Sequence, residues 1–152
     1  MTYFLILLLA GGAFLAFKMS VADWRRRIIP DVYLFPFMLI GFLLVTHFPW
    51  ISTPGESAVA AAFGSGLGLL VGWVFEKVKG TQTEHSPIGM GDVKLLGAGG
   101  IWLGLTGLAI AIVISCILGG IWALSNKQKY IPFAPFFLSG LIISLFAMFF
   151  LV

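Results

Sequence analysis

The chain has 152 residues, enough for one domain of ordinary size; 60% of it is hydrophobic, 10% is charged, and 19 residues are glycine. Soluble domains carry about 25% charged residues, so this composition and a mean hydropathy of +1.07 exclude a water-soluble body and predict an all-α, polytopic integral membrane bundle in a lipid bilayer. The net charge of +3 sits in short segments between apolar runs, which argues against a nucleic-acid partner, and a lone Cys116 with two distant histidines, His47 and His85, argues against an intramolecular disulfide, a thiolate zinc cluster or a histidine-rich metal site.

Six transmembrane helices are predicted within a single membrane-embedded domain, 1–152. The first covers Tyr3 to Ala22 and ends at Asp23-Trp24-Arg25-Arg26-Arg27. Its basic cluster follows the apolar run instead of preceding it, so it reads as a retained span with an outside N-terminus and not as a signal peptide. The second covers Val32 to Phe48, with Pro36 as a kink. A loop from Pro49 to Gly55 leads to the third, Ser57 to Phe75, and Thr53-Pro54-Gly55-Glu56 reads as its N-terminal cap with Pro54 at the first helical position. A polar stretch from Glu76 to Gly91 follows. Val93 to Leu124 is then 32 residues without a charge. One helix that long overshoots a bilayer by roughly half, so two crossings broken near Gly104 to Gly107 are expected. The last span covers Phe133 to Val152.

Six spans put Arg25, Arg26, Arg27, Lys77, Lys79, Lys94, Lys127 and Lys129 on one side. The positive-inside rule makes that side cytoplasmic and leaves both termini outside. Ala60, Gly64, Gly68 and Gly72 recur at every fourth residue of the third span, and Gly12 with Ala16 and Gly100 with Gly104 repeat the spacing. In lipid such stripes let helices approach closely, so they read as packing surfaces.

Asp23 closes the first span and Asp92 opens the fourth. The two spans between them form an out-and-back hairpin, which returns Asp92 to the membrane face that holds Asp23. Two carboxylates within a few ångströms cannot both ionise cheaply and come to share a proton. One then takes a proton from water while the other protonates a carbonyl oxygen, which is peptide hydrolysis without a metal or a covalent intermediate. The bland alternative leaves both acids in the headgroup region, marking topology. A third reading is a small transporter or channel subunit in which they handle protons or a cation.

Gly89-Met90-Gly91-Asp92-Val93-Lys94 resembles the Gly-x-Gly-Asp-x-Lys motif of bacterial type IV prepilin peptidases. Asp23, followed by Ile28-Ile29-Pro30-Asp31, is similar to that family's first catalytic aspartate and its Ile-Pro segment. Leu95 to Gly104 resembles the continuation after the second aspartate, and Ile131-Pro132-Phe133-Ala134-Pro135-Phe136 resembles a Pro-Phe-Gly-Pro-Phe opening of the last helix, with Ala134 in place of glycine. The resemblance implies an intramembrane aspartic endopeptidase with Asp23 and Asp92 as the catalytic dyad, and Lys94, Gly89, Gly91 and Pro30 in support. It implies no cofactor. The implied substrate is a prepilin or pseudopilin, whose basic leader is cut ahead of an apolar helix, with the active site on the cytoplasmic side of a bacterial inner membrane. Larger members also carry a cytoplasmic domain with paired Cys-x-x-Cys motifs and N-methylate the new terminus. With about eight residues between Asp23 and the second span, a short, peptidase-only member is expected.

Overall fold

The computed structural model describes residues 2–49, 52–79, 88–126 and 131–151, and all the regular structure in them is helical. The elements are α1 (Thr2–Arg26), α2 (Asp31–His47), α3 (Pro54–Lys79), α4 (Met90–Asn126) and α5 (Phe133–Leu151). Among them α1, α3 and α4 are long and apolar enough to cross a membrane, while α2 and α5 are shorter apolar helices. The expected fourth and fifth spans form one element, α4, interrupted at a single residue, Gly104, whose φ of 66° and ψ of −173° are not helical. Pro36 lies inside α2 without ending it. The expected loop residues Lys127, Lys129, Glu84 and His85 lie outside the described residues.

Helix ends follow local chemistry. α1 runs past Ala22 to Arg26, so Asp23 sits within its last turn; Arg27, at φ 53°, stops it, and its N–H donates to the Asp23 carbonyl at 2.8 Å. At the start of α3 the Thr53 N–H donates to Glu56 Oε2 at 2.9 Å and the Glu56 N–H to Thr53 Oγ1 at 3.3 Å, the reciprocal cap that the sequence implies. At its other end α3 continues through Glu76 and Lys77 to Lys79. Glu and Lys are good helix formers, and four residues that read as loop by polarity extend the helix instead.

The small-residue stripes are contact surfaces. A Cβ on Gly64 would stand 2.6 Å from the Leu96 carbonyl oxygen, and one on Gly100 would stand 2.4 Å from the Ala60 carbonyl, so α3 and α4 touch backbone to backbone. The indole of Trp102 fills the space that Gly12 of α1 and Gly41 of α2 leave open, at 2.4 and 2.5 Å from where their Cβ atoms would be. It stacks on Phe37 with ring centroids 4.8 Å apart, and its Nε1–H donates to the Phe37 carbonyl at 3.0 Å. Trp102 thereby pins three helices together.

At Gly104 the path of α4 turns back. Residues 99 and 108 of an unbroken helix stand about 13 Å apart. Here the Leu108 side chain reaches to 3.3 Å from the Cβ position of Gly99. Beyond the break, the Ser144 hydroxyl of α5 donates to the Gly107 carbonyl at 2.8 Å, Gly119 faces Ile131 and Phe136, and Trp122 packs edge-on against Trp24, beside Asp23. Gly104 itself meets Ser52, just ahead of the start of α3. Large apolar side chains such as Tyr3, Leu7, Trp73 and Leu124 face outward, as lipid contact requires.

Candidate active site

Asp23 is 5% exposed, the one buried carboxylate among the described residues. A buried charge needs partners, and α5 supplies one. The first N–H groups of a helix have no partner within it, and here the Ala134 N–H donates to Asp23 Oδ2 at 2.8 Å. The Phe133 N–H and the Arg27 guanidinium also act on the carboxylate. Asp23 thus closes α1 and caps α5 with the same side chain, drawing on the positive end of the α5 dipole.

Asp92 lies in the first turn of α4. Its Oδ2 accepts the Gly89 N–H at 3.3 Å, while the N–H groups of Asp92 and Val93 donate to the Gly89 carbonyl at 3.0 and 3.2 Å. Gly89 is therefore the residue on which the helix starts, and Asp92 reaches back over it in the manner of a capping box. Gly91 has a different task. A Cβ there would stand 3.1 Å from Cβ of the buried Ile29, so the glycine lets the α4 turn close onto the segment between α1 and α2.

The two carboxylates meet electrostatically, the charge of Asp23 acting on Asp92. Their common end of the bundle also holds Ile29, Pro30 and the start of α5. Pro30 sits at the N-cap of α2 with φ −71° and ψ 128°, and its carbonyl accepts the Tyr33 and Leu34 N–H groups at 3.1 and 3.2 Å. Lys94 is turned to Asp31, with Nζ donating to Oδ1 at 2.9 Å and to Oδ2 at 2.8 Å and lying 5.7 Å from the Phe35 ring centroid. Lys18 stays outside the site, exposed and over the Phe14 ring at 5.4 Å. The fold thus gathers Asp23, Asp92, Gly89, Gly91 and Pro30, with Lys94 at the rim.

Three participants escape sequence reasoning: the Ala134 N–H, Ile29 as the surface under Gly91, and Asp31 as the partner of Lys94. The first is a backbone group with no side-chain signature. For the third, a usable signal existed in an opposite charge directly after Pro30.

Further into the bundle an apolar cavity of about 490 Å³ opens between α1 and α5, its lining including Gly12, Ala16, Phe37, Trp102, Leu141 and Phe146. Asp23 stands seven residues beyond Ala16 and Ala134 seven before Leu141, about 10 Å along either helix. Buried acid and greasy cleft therefore share the same two helices.

The sequence profile of the type IV leader peptidase family matches residues 4–124. The protein named "Prepilin leader peptidase/N-methyltransferase" from Xanthomonas campestris pv. campestris is 33% identical over 126 residues, which cover 78% of this chain and 42% of that protein. Proteins of the same name from Legionella pneumophila (33% identical, 79% of this chain and 43% of theirs) and Dickeya chrysanthemi (34%, 71% and 38%) are similar to it. The chain spans about two fifths of the length of these relatives. No solved structure matches it significantly.

Proposed function

Because the chain belongs to the type IV leader peptidase family, we propose that it is an aspartic endopeptidase that removes the basic leader of a prepilin or pseudopilin, with Asp23 and Asp92 as its hydrolytic pair. One observation carries the reading. Two acids far apart in sequence are each held by a backbone N–H at the start of a helix, Asp23 by Ala134 at 2.8 Å and Asp92 by Gly89 at 3.3 Å, and Asp23 is buried there within reach of the charge of Asp92. In hydrolysis the ionised member takes a proton from water, and the oxygen adds to the scissile carbonyl as the neutral member protonates the carbonyl oxygen. The tetrahedral intermediate then collapses, the amine leaves with a proton, and the pair is left with one proton as before. The hydrogen bond from Ala134 fixes the direction in which Asp23 presents its free oxygen, and the Gly89 N–H does the same for Asp92.

The protein is a multi-pass protein of a bacterial inner membrane in this reading. The break at Gly104 divides α4 into two crossings, making six in all, with both termini outside. Arg25, Arg26, Arg27, Lys77 and Lys94 then flank the site on the cytoplasmic side. That is the side on which a basic leader remains when the apolar helix behind it enters the bilayer. The apolar cavity lies in the direction such a helix runs.

Co-expression with a prepilin, followed by mass measurement of the pilin, tests the function. The expected result is a pilin shortened by its leader with the unaltered chain, and full-length prepilin with Asp23→Asn or Asp92→Asn at equal membrane abundance. Cleavage that survives either change contradicts the proposal.

A further inference from the structure

Lys94 belongs to the motif that carries Asp92, yet its ammonium is spent elsewhere. Successive residues of a helix are turned by about 100°, so positions two apart face nearly opposite ways. Lys94 accordingly points away from Asp92 and grips both oxygens of Asp31 at 2.9 and 2.8 Å. Asp31 opens α2, and only Arg27, Ile28, Ile29 and Pro30 separate it from α1, in whose last turn Asp23 lies. The bridge therefore fastens the chain just after one acid to the chain just after the other. Gly91 against Ile29 makes a second fastening of the same two segments.

We propose that the Lys94–Asp31 pair is a clamp that sets the separation of Asp23 and Asp92, Lys94 being a positioning residue that acts through Asp31 and never touches substrate. The inference rests on the reading of Asp23 and Asp92 as the hydrolytic pair. Two features support a positioning role over a stabilising one. Both partners are substantially exposed, 40% and 49%, and a solvent-facing ion pair adds little to global stability. The connector it restrains is short and leaves α1 through a residue at positive φ, Arg27, so a small movement of Asp31 passes directly to Asp23. A misplacement of about 1 Å between reacting groups costs on the order of 100-fold in rate.

The test uses the purified full chain, a synthetic prepilin peptide and four variants: Lys94→Ala, Asp31→Ala, the double change and Lys94→Arg. Thermal unfolding in detergent is measured alongside. Each alanine variant is expected to lose about 10- to 100-fold in kcat with KM and Tm nearly unchanged. The double variant is expected to be no worse than the poorer single, and Lys94→Arg to restore most of kcat. Losses that multiply in the double variant, a rise in KM in place of a fall in kcat, or an Asp31→Ala enzyme as active as the original would each overturn the clamp. Asp23→Asn runs in parallel. If it still cleaves, the hydrolytic reading has failed; if it is inactive while the double variant shows independent losses, only the clamp has failed.

Discussion

Asp23 and Asp92 are held in ways that an asparagine can copy. The Ala134 N–H at 2.8 Å and the Gly89 N–H at 3.3 Å each donate to one carboxylate oxygen, and an amide oxygen accepts the same bonds in the same geometry, more weakly than a charged carboxylate. Asparagine therefore removes the proton chemistry and leaves the helix caps in place. A pair sharing one proton also predicts a bell-shaped dependence of kcat/KM on pH, whose two limbs belong to the pair and not to either residue. A peptide assay across the pH range checks it, and a single sigmoid limb contradicts it. Gly91→Ala should lower cleavage several-fold with little loss of Tm, because the new methyl group meets Ile29 at 3.1 Å and opens the contact that brings the α4 turn to the connector; equal cleavage by this variant in the same assay contradicts that. At this scale the side chains with motif signatures were legible as candidates: an acid between a glycine turn and a helix start, and an acid at a span end. The Ala134 N–H was not, because any residue but proline at that position carries the same donor.

Among the elements, the decisive contacts involve residues that have almost no side chain. Gly100→Val should separate α3 from α4, since its Cβ has the Ala60 carbonyl 2.4 Å away and backbone cannot yield as a side chain does. The expected cost is about 1–3 kcal/mol, read as a lower Tm in detergent. Trp102→Phe drops the hydrogen bond to the Phe37 carbonyl and leaves part of the space between Gly12 and Gly41 empty, with an expected loss of about 1–3 kcal/mol in the same measurement. Element boundaries were readable to within a few residues because apolar runs and caps are local signals. Thr53 and Glu56 show this well, each bonded to the other as their spacing implies. What hydropathy missed was the continuation of helices into charged sequence, at Asp23 to Arg26 in α1 and Glu76 to Lys79 in α3. Hydropathy reports the bilayer thickness, whereas a helix ends where its hydrogen bonding is stopped. The place of Trp102 was equally hidden: its two glycine partners lie in α1 and α2, far away in sequence.

For the molecule as a whole, the proposed function requires one chain to return two acids to the same end of the bundle. Hairpin parity between the first and fourth spans already implied it, and the charge-free run from Val93 to Leu124 implied a reversal within it. Gly104 supplies that reversal with a φ of 66° and ψ of −173°, a backbone conformation essentially restricted to glycine, and with Ser52 2.7 Å from where a Cβ would be. Gly104→Ala should therefore lower Tm through about 1–3 kcal/mol of backbone strain. In the proposed mechanism Asp23 and Asp92 work as a single device. Groups that act as one unit lose their effect together, so the most direct measurement is cleavage of a synthetic prepilin by the purified chain and by Asp23→Asn, Asp92→Asn and the doubly changed protein. The expected result is a loss of at least about 100-fold for each single change and no further loss for the double. Substantial activity in either single variant, or losses that multiply in the double, would contradict it.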